Sequence, residues 1–143
     1  MQSKNVRILF TILIGVYAVL PLFAELNDTH VVNPDWPGHA RLHNVWLLVQ
    51  NLLLGVLSLY LIWKQTSREY LLLAGLIGAI IFGSFLMAGI TGPLYGGSLT
   101  DPGAEVAMVN GADINVYILG ASFVLSLIGL GMTYRSEKEA ITA

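Results

Sequence analysis

The spacing of the charged residues constrains this chain more than any other feature. After Arg7 no charge appears until Glu25, which leaves the uninterrupted stretch ILFTILIGVYAVLPLFA. Asn44 to Trp63, Tyr70 to Thr91 and Ile114 to Tyr134 are uncharged in the same way. A bilayer core is crossed by about 20 apolar residues in helical form, so each stretch has the length of a transmembrane helix. The expected spans are about 8–26, 44–63, 70–91 and 114–134, and together they make one all-α four-helix transmembrane bundle over residues 1–143. Hydrophobic residues make up 55% of the chain and charged ones 11%. A soluble domain carries about 25% charged residues, and a chain this short could not bury so much apolar surface in its own interior. The lipid bilayer is therefore the expected solvent. With no cysteine, thiolate metal sites and disulfides are excluded. With net charge -2 and no basic tract, nucleic acid is excluded as a partner.

Basic residues orient the spans. Lys4 and Arg7 precede the first, Lys64 and Arg68 lie between the second and third, and Arg135 and Lys138 follow the last. Only Arg41 falls on the other side, where Glu25, Asp28, Asp35, Asp101, Glu105 and Asp113 gather. This pattern predicts cytoplasmic N and C termini and two long outer loops. A basic start followed by an apolar stretch also describes a signal peptide. Leu22 stands where such a cleavage site wants a small residue, which favours retention of residues 1–24 as a span. Pro21 then lies at a helix end or kinks the helix.

The third span carries Ala74, Gly75, Gly78, Ala79, Gly83, Ala88 and Gly89, and the fourth carries Gly120, Ala121, Ser122, Ser126, Gly129 and Gly131. Small residues let helices approach closely in lipid, so these two spans are expected to be neighbours. Packing within the bundle is the first reading, and a homo-oligomer interface through the same faces the second. Gly92-Pro93 ends the third span. Beyond it, Asp101-Pro102 has the form of a helix start, with Glu105 in the first turn.

All three histidines fall in HVVNPDWPGHARLH. Asp35 is the expected N-cap, and Trp36-Pro37 would open the second helix well before the membrane. His39 and His43 then share a face, which continues past Trp46 to Gln50, with Asn51 alongside. Carboxamides facing lipid are costly, so this face is expected to look into the bundle. Glu25 at the outer end of the first span, Asp113 at the outer start of the fourth and Tyr117 one turn deeper are the expected partners. Together these residues would line a pocket open to the outside.

Three chemistries fit such a pocket. His39 and His43, completed by His30, Asp35 or a carboxylate, could hold a divalent metal cofactor, although the stronger HExxH form is absent. The pocket could bind a small amphipathic ligand, or a histidine–carboxylate pair could run acid–base chemistry on a lipid-like substrate. The remaining alternatives are an accessory subunit of a larger membrane complex and histidines that merely anchor at the headgroups. Bis-histidine haem is disfavoured, since the other spans hold no histidine. Asn27-Asp28-Thr29 has the form of a glycosylation sequon.

The segment Asn33-Pro34-Asp35-Trp36-Pro37-Gly38-His39-Ala40-Arg41-Leu42-His43 resembles an N-P-x-W-P-x-H-A-x-x-H signature of small bacterial four-span membrane proteins, often preceded by Thr-His as at Thr29-His30. That resemblance implies an inner-membrane location and carries no activity. In architecture alone, the chain is also similar to the four-helix EXPERA proteins, whose acidic and aromatic groups line an intramembrane cavity.

Overall fold

A computed structural model describes residues 4–99 and 107–142, the last of these, from 136, as backbone only. Asp101-Pro102 and Glu105 lie outside the described residues. The chain forms α1 (Lys4–Ile14), a π-helical turn (Gly15–Val19), α2 (Leu20–Glu25), α3 (Gly38–Lys64), α4 (Arg68–Thr91), a 3₁₀ turn (Gly92–Leu94), β1 (Met108–Val109), β2 (Ala112–Asp113) and α5 (Ile114–Thr142). Four segments are long and apolar enough to cross a membrane: Lys4–Glu25, Gly38–Lys64, Arg68–Leu94 and Ile114–Arg135. The all-α four-helix bundle expected from charge spacing is the observed architecture.

The first span runs on through Pro21 rather than breaking there. Pro21 has no N–H to offer a carbonyl one turn back, and the helix takes up the loss by widening. The Leu20 N–H reaches the Gly15 carbonyl, five residues earlier, across the π turn. π turns inside α-helices are a recognised cause of local bending. This turn aims Tyr17 inward, and its hydroxyl meets the Ser58 Oγ of α3 at 3.1 Å.

The first span is also the centre of the core. Val6, Phe10, Leu13, Ile14, Tyr17 and Ala18 are all buried, and around them close Leu61 and Ile62 of α3 and Leu71, Ala74 and Phe82 of α4. Glycines on the surrounding helices make room for it. A Cβ on Gly75 would stand 2.4 Å from the Phe10 ring, and one on Gly129 would stand 2.5 Å from it. Phe10 is thus a wedge between α4 and α5. On α3, a Cβ at Gly55 would fall 2.7 Å from the Ala18 Cβ.

The expected adjacency of the third and fourth spans holds. A Cβ at Gly83 would meet the Phe123 ring at 3.1 Å, and one at Gly78 would lie 3.7 Å from Ser126 Oγ. Ala74, Gly75, Gly78 and Ala79 are buried in the chain's own bundle. On α5, Ser122, Ser126 and Thr133 are buried, and each hydroxyl donates to the carbonyl four residues back. Apolar helix packing therefore leaves no hydroxyl of this row unpaired.

At the end bearing Lys4, Arg7, Lys64 and Arg68, side chains tie the helices together. Trp63 Nε1 donates to Thr11 Oγ1 at 3.0 Å, Arg7 Nη2 to the Gln65 carbonyl at 3.5 Å and Gln65 Nε2 to the Tyr60 hydroxyl at 2.9 Å. The Arg68 guanidinium lies 5.1 Å from the centre of the Tyr134 ring, within cation–π range. The Ser67 hydroxyl donates to the Glu69 carboxylate at the start of α4.

Candidate functional site

The opposite end holds the histidines, and there the chain folds largely upon itself. Asn27 closes the first span: its amide donates to the Ala24 carbonyl at 2.9 Å, and its Oδ1 accepts from the Thr29 N–H and hydroxyl. The Thr29 hydroxyl lies 2.8 Å from His30 Nδ1, and the His30 ring meets Trp36 edge to face at 5.3 Å. His30 is therefore held inside the loop.

The start of α3 differs from expectation. The cap is Pro37, with extended backbone and no side-chain capping bond, and the helix begins at Gly38. Asn33 rather than Asp35 organises the turn, its Oδ1 accepting the Asp35 N–H at 2.9 Å. Arg41 reaches back from the first turn, donating through Nε to the Trp36 carbonyl at 3.1 Å and through Nη2 to the Pro34 carbonyl at 3.4 Å. An arginine with its donors spread in a fork can bind two carbonyls at once, and this staple ties the loop to the first turn of α3. The helix thus begins six residues ahead of the uncharged stretch that opens at Asn44.

His39 and His43 are neighbours as their spacing requires. Their Nε2 atoms are 3.0 Å apart, one ring edge-on to the other at 4.4 Å between centroids. Trp46 continues the stack, its ring 5.9 Å from that of His43 and tilted by 31°. The direction of this face, however, is the reverse of that expected. His39, His43 and Gln50 are exposed, Asn51 is partly buried, and Trp46 is 62% exposed. The inward face of α3 is instead made by Leu48, Gly55, Ser58, Leu61 and Ile62. Gly55 gives the closest approach to the first span, and Ser58 pairs with Tyr17. Together they outweigh the cost of leaving a carboxamide outside.

The carboxylates do not join the histidines. Glu25 Oε2 accepts a 2.7 Å hydrogen bond from Asn44 Nδ2, and Asn44 Oδ1 is buried with no donor among the described residues. Asp113 is only 5% exposed, and its Oδ1 accepts the Asn115 N–H at 2.7 Å, which caps α5. Tyr117 is exposed on the next turn. Among the described residues no three of His, Asp and Glu come close enough to hold a metal ion, so the set His30, Asp35, His39 and His43 is not assembled within one chain.

Three features went unread in the sequence. The first is Asn44 as the partner of Glu25. The second is the β1–β2 hairpin, Met108 opposite Asp113 and Val109 opposite Ala112. Its turn residues Asn110 and Gly111 have φ of 49° and 81°. An Asn-Gly pair is the signature of such a turn, and the signal stood in the chain. The third is a cleft of about 210 Å³ at the end of α4, lined by Phe85, Ala88, Gly92, Tyr95 and Leu99 among others. It forms because the Tyr95 hydroxyl folds back to the Ala88 carbonyl at 2.8 Å. None of the residues expected to line a pocket takes part in it.

Fold and site define a small multi-pass membrane protein with a histidine pair on one end of its surface. No family model matches the chain, and neither a curated protein nor a solved structure does so.

Proposed function

We propose that this protein takes up a first-row divalent metal at the outer face of the cell's inner membrane through His39 and His43. The supporting observation is the 3.0 Å separation of their Nε2 atoms on an exposed helix face. Two imidazoles bound to one metal at about 2.0–2.1 Å place their nitrogens roughly 2.9–3.4 Å apart for angles between square and tetrahedral. The pair therefore needs little rearrangement to chelate. The helix fixes the two rings one turn apart, and exposure leaves further positions open to water or another donor. The charge distribution supports the orientation, with Lys4, Arg7, Lys64 and Arg68 at the opposite, cytoplasmic end.

The test is metal analysis of tag-free protein after exposure to zinc, nickel or copper(II) and removal of excess. Wild type should retain metal, while His39→Ala and His43→Ala should each lose most of it. Equal retention by both variants, or none by wild type, sinks the reading.

A further inference from the structure

We propose that α3 pairs in the bilayer with a second copy of this chain, along the seam His39, His43, Trp46, Gln50, Leu53 and Leu57. These residues are spaced by alternating steps of four and three, the heptad repeat that keeps one helix seam on a partner helix. All six are exposed, so nothing in the chain's own bundle covers the seam.

Gln50 makes the seam more than an apolar face. It lies twelve residues into α3, about 18 Å from Gly38 along the axis, within the uncharged stretch Asn44–Trp63. Its carboxamide makes no hydrogen bond among the described residues, yet it carries two donors and two acceptor lone pairs. With no water in the bilayer core, such a group needs a protein partner.

The chemistry selects a second copy as that partner. Copies of a membrane protein insert in the same direction, so two α3 helices meet in parallel. Parallel heptad pairing sets each seam residue against its own equivalent. Gln50 then faces Gln50, and a carboxamide is its own complement, donating through nitrogen and accepting through oxygen in both directions. The seam has no charged residue that would call for an unlike partner. The small-residue stripe of α4 is already consumed inside the bundle. Pairing also brings two histidine pairs together at the outer end. If the metal reading holds, four imidazoles from two chains would share one ion.

The chain contains no cysteine, so single cysteines report cleanly in native membranes treated with a thiol oxidant. Disulfide-linked dimers should form strongly at Leu53→Cys and Leu57→Cys and weakly at Val49→Cys, Leu52→Cys and Val56→Cys. Adding Gln50→Leu to Leu53→Cys should cut its crosslinking several-fold, with Gln50→Asn cutting it less. A flat profile, a maximum on the 49/52/56 face, adducts only with other proteins, or indifference to Gln50→Leu would each overturn the pairing. Metal analysis separates the two proposals. Periodic crosslinking in a protein that binds no metal leaves the pairing standing alone. One metal per monomer with a flat profile leaves only the metal site.

Discussion

The two ends of the bundle satisfy their polar groups in opposite ways. At the basic end three contacts join segments far apart in sequence, Trp63 with Thr11, Arg7 with Gln65 and Arg68 with Tyr134, beside the local pairs Gln65–Tyr60 and Ser67–Glu69. At the histidine end they are near neighbours: Asn27 with Thr29, Arg41 with Trp36, His39 with His43, Asp113 with Asn115. Glu25 with Asn44 is the longer-range exception. Contacts between distant segments hold helices in place, and losing one loosens the fold. Contacts within one segment hold a side chain ready without committing it to the core. The first end is built for stability, and the second presents its chemistry outward.

Substitutions should separate the ends sharply. Phe10→Ala removes the wedge between Gly75 and Gly129 and should cost about 3–5 kcal/mol, as large aromatic truncations in close-packed cores do. Thermal unfolding in detergent should show it, while metal retention at a temperature where the variant is folded stays as in wild type. Gly75→Leu overfills the same place from the other side and should cost about 1–3 kcal/mol, because the added side chain meets Leu130 as well as the Phe10 ring. A Gly75→Leu protein as stable as wild type would mean that the wedge is not rigid.

Tyr17→Phe tests the single hydrogen bond behind the π turn. Interhelical bonds in membranes contribute about 0.6–1.7 kcal/mol, so a small but measurable fall in unfolding temperature is expected. Ser58→Ala in the Tyr17→Phe background should add almost nothing if the two groups act as a pair. At the other end, His39→Ala and His43→Ala should change stability by less than about 0.5 kcal/mol, as exposed substitutions do, while abolishing metal retention. A large stability loss there would erase the distinction between the ends.

Much of this was legible in the residues and some was not. The small residues Ala74, Gly78 and Gly129 announced close helix contacts, while Pro21 left open whether the helix ended or continued, as it does through a π turn. The His39–His43 contact follows from a spacing of four on a helix. The direction of that face did not follow. In a soluble helix polarity marks the outside, and in lipid that marker is lost, because α3 is apolar on every side between Asn44 and Trp63 apart from a few carboxamides and Ser58. Gln50 and Ser58 both look like inward groups by composition. Among the described residues only Ser58 has a side-chain partner, and that partner, Tyr17, lies 41 residues away.

By itself, then, the sequence determined how many times the chain crosses and where the crossings fall, since lipid leaves backbone groups no partner except their own helix. It also determined that His39 and His43 meet. The tertiary structure decided which helix is central and which face of each is covered. These depend on shape, on Phe10 entering the gaps at Gly75 and Gly129 and Ala18 settling on Gly55. Such fits between distant segments have no signature in local hydrophobicity.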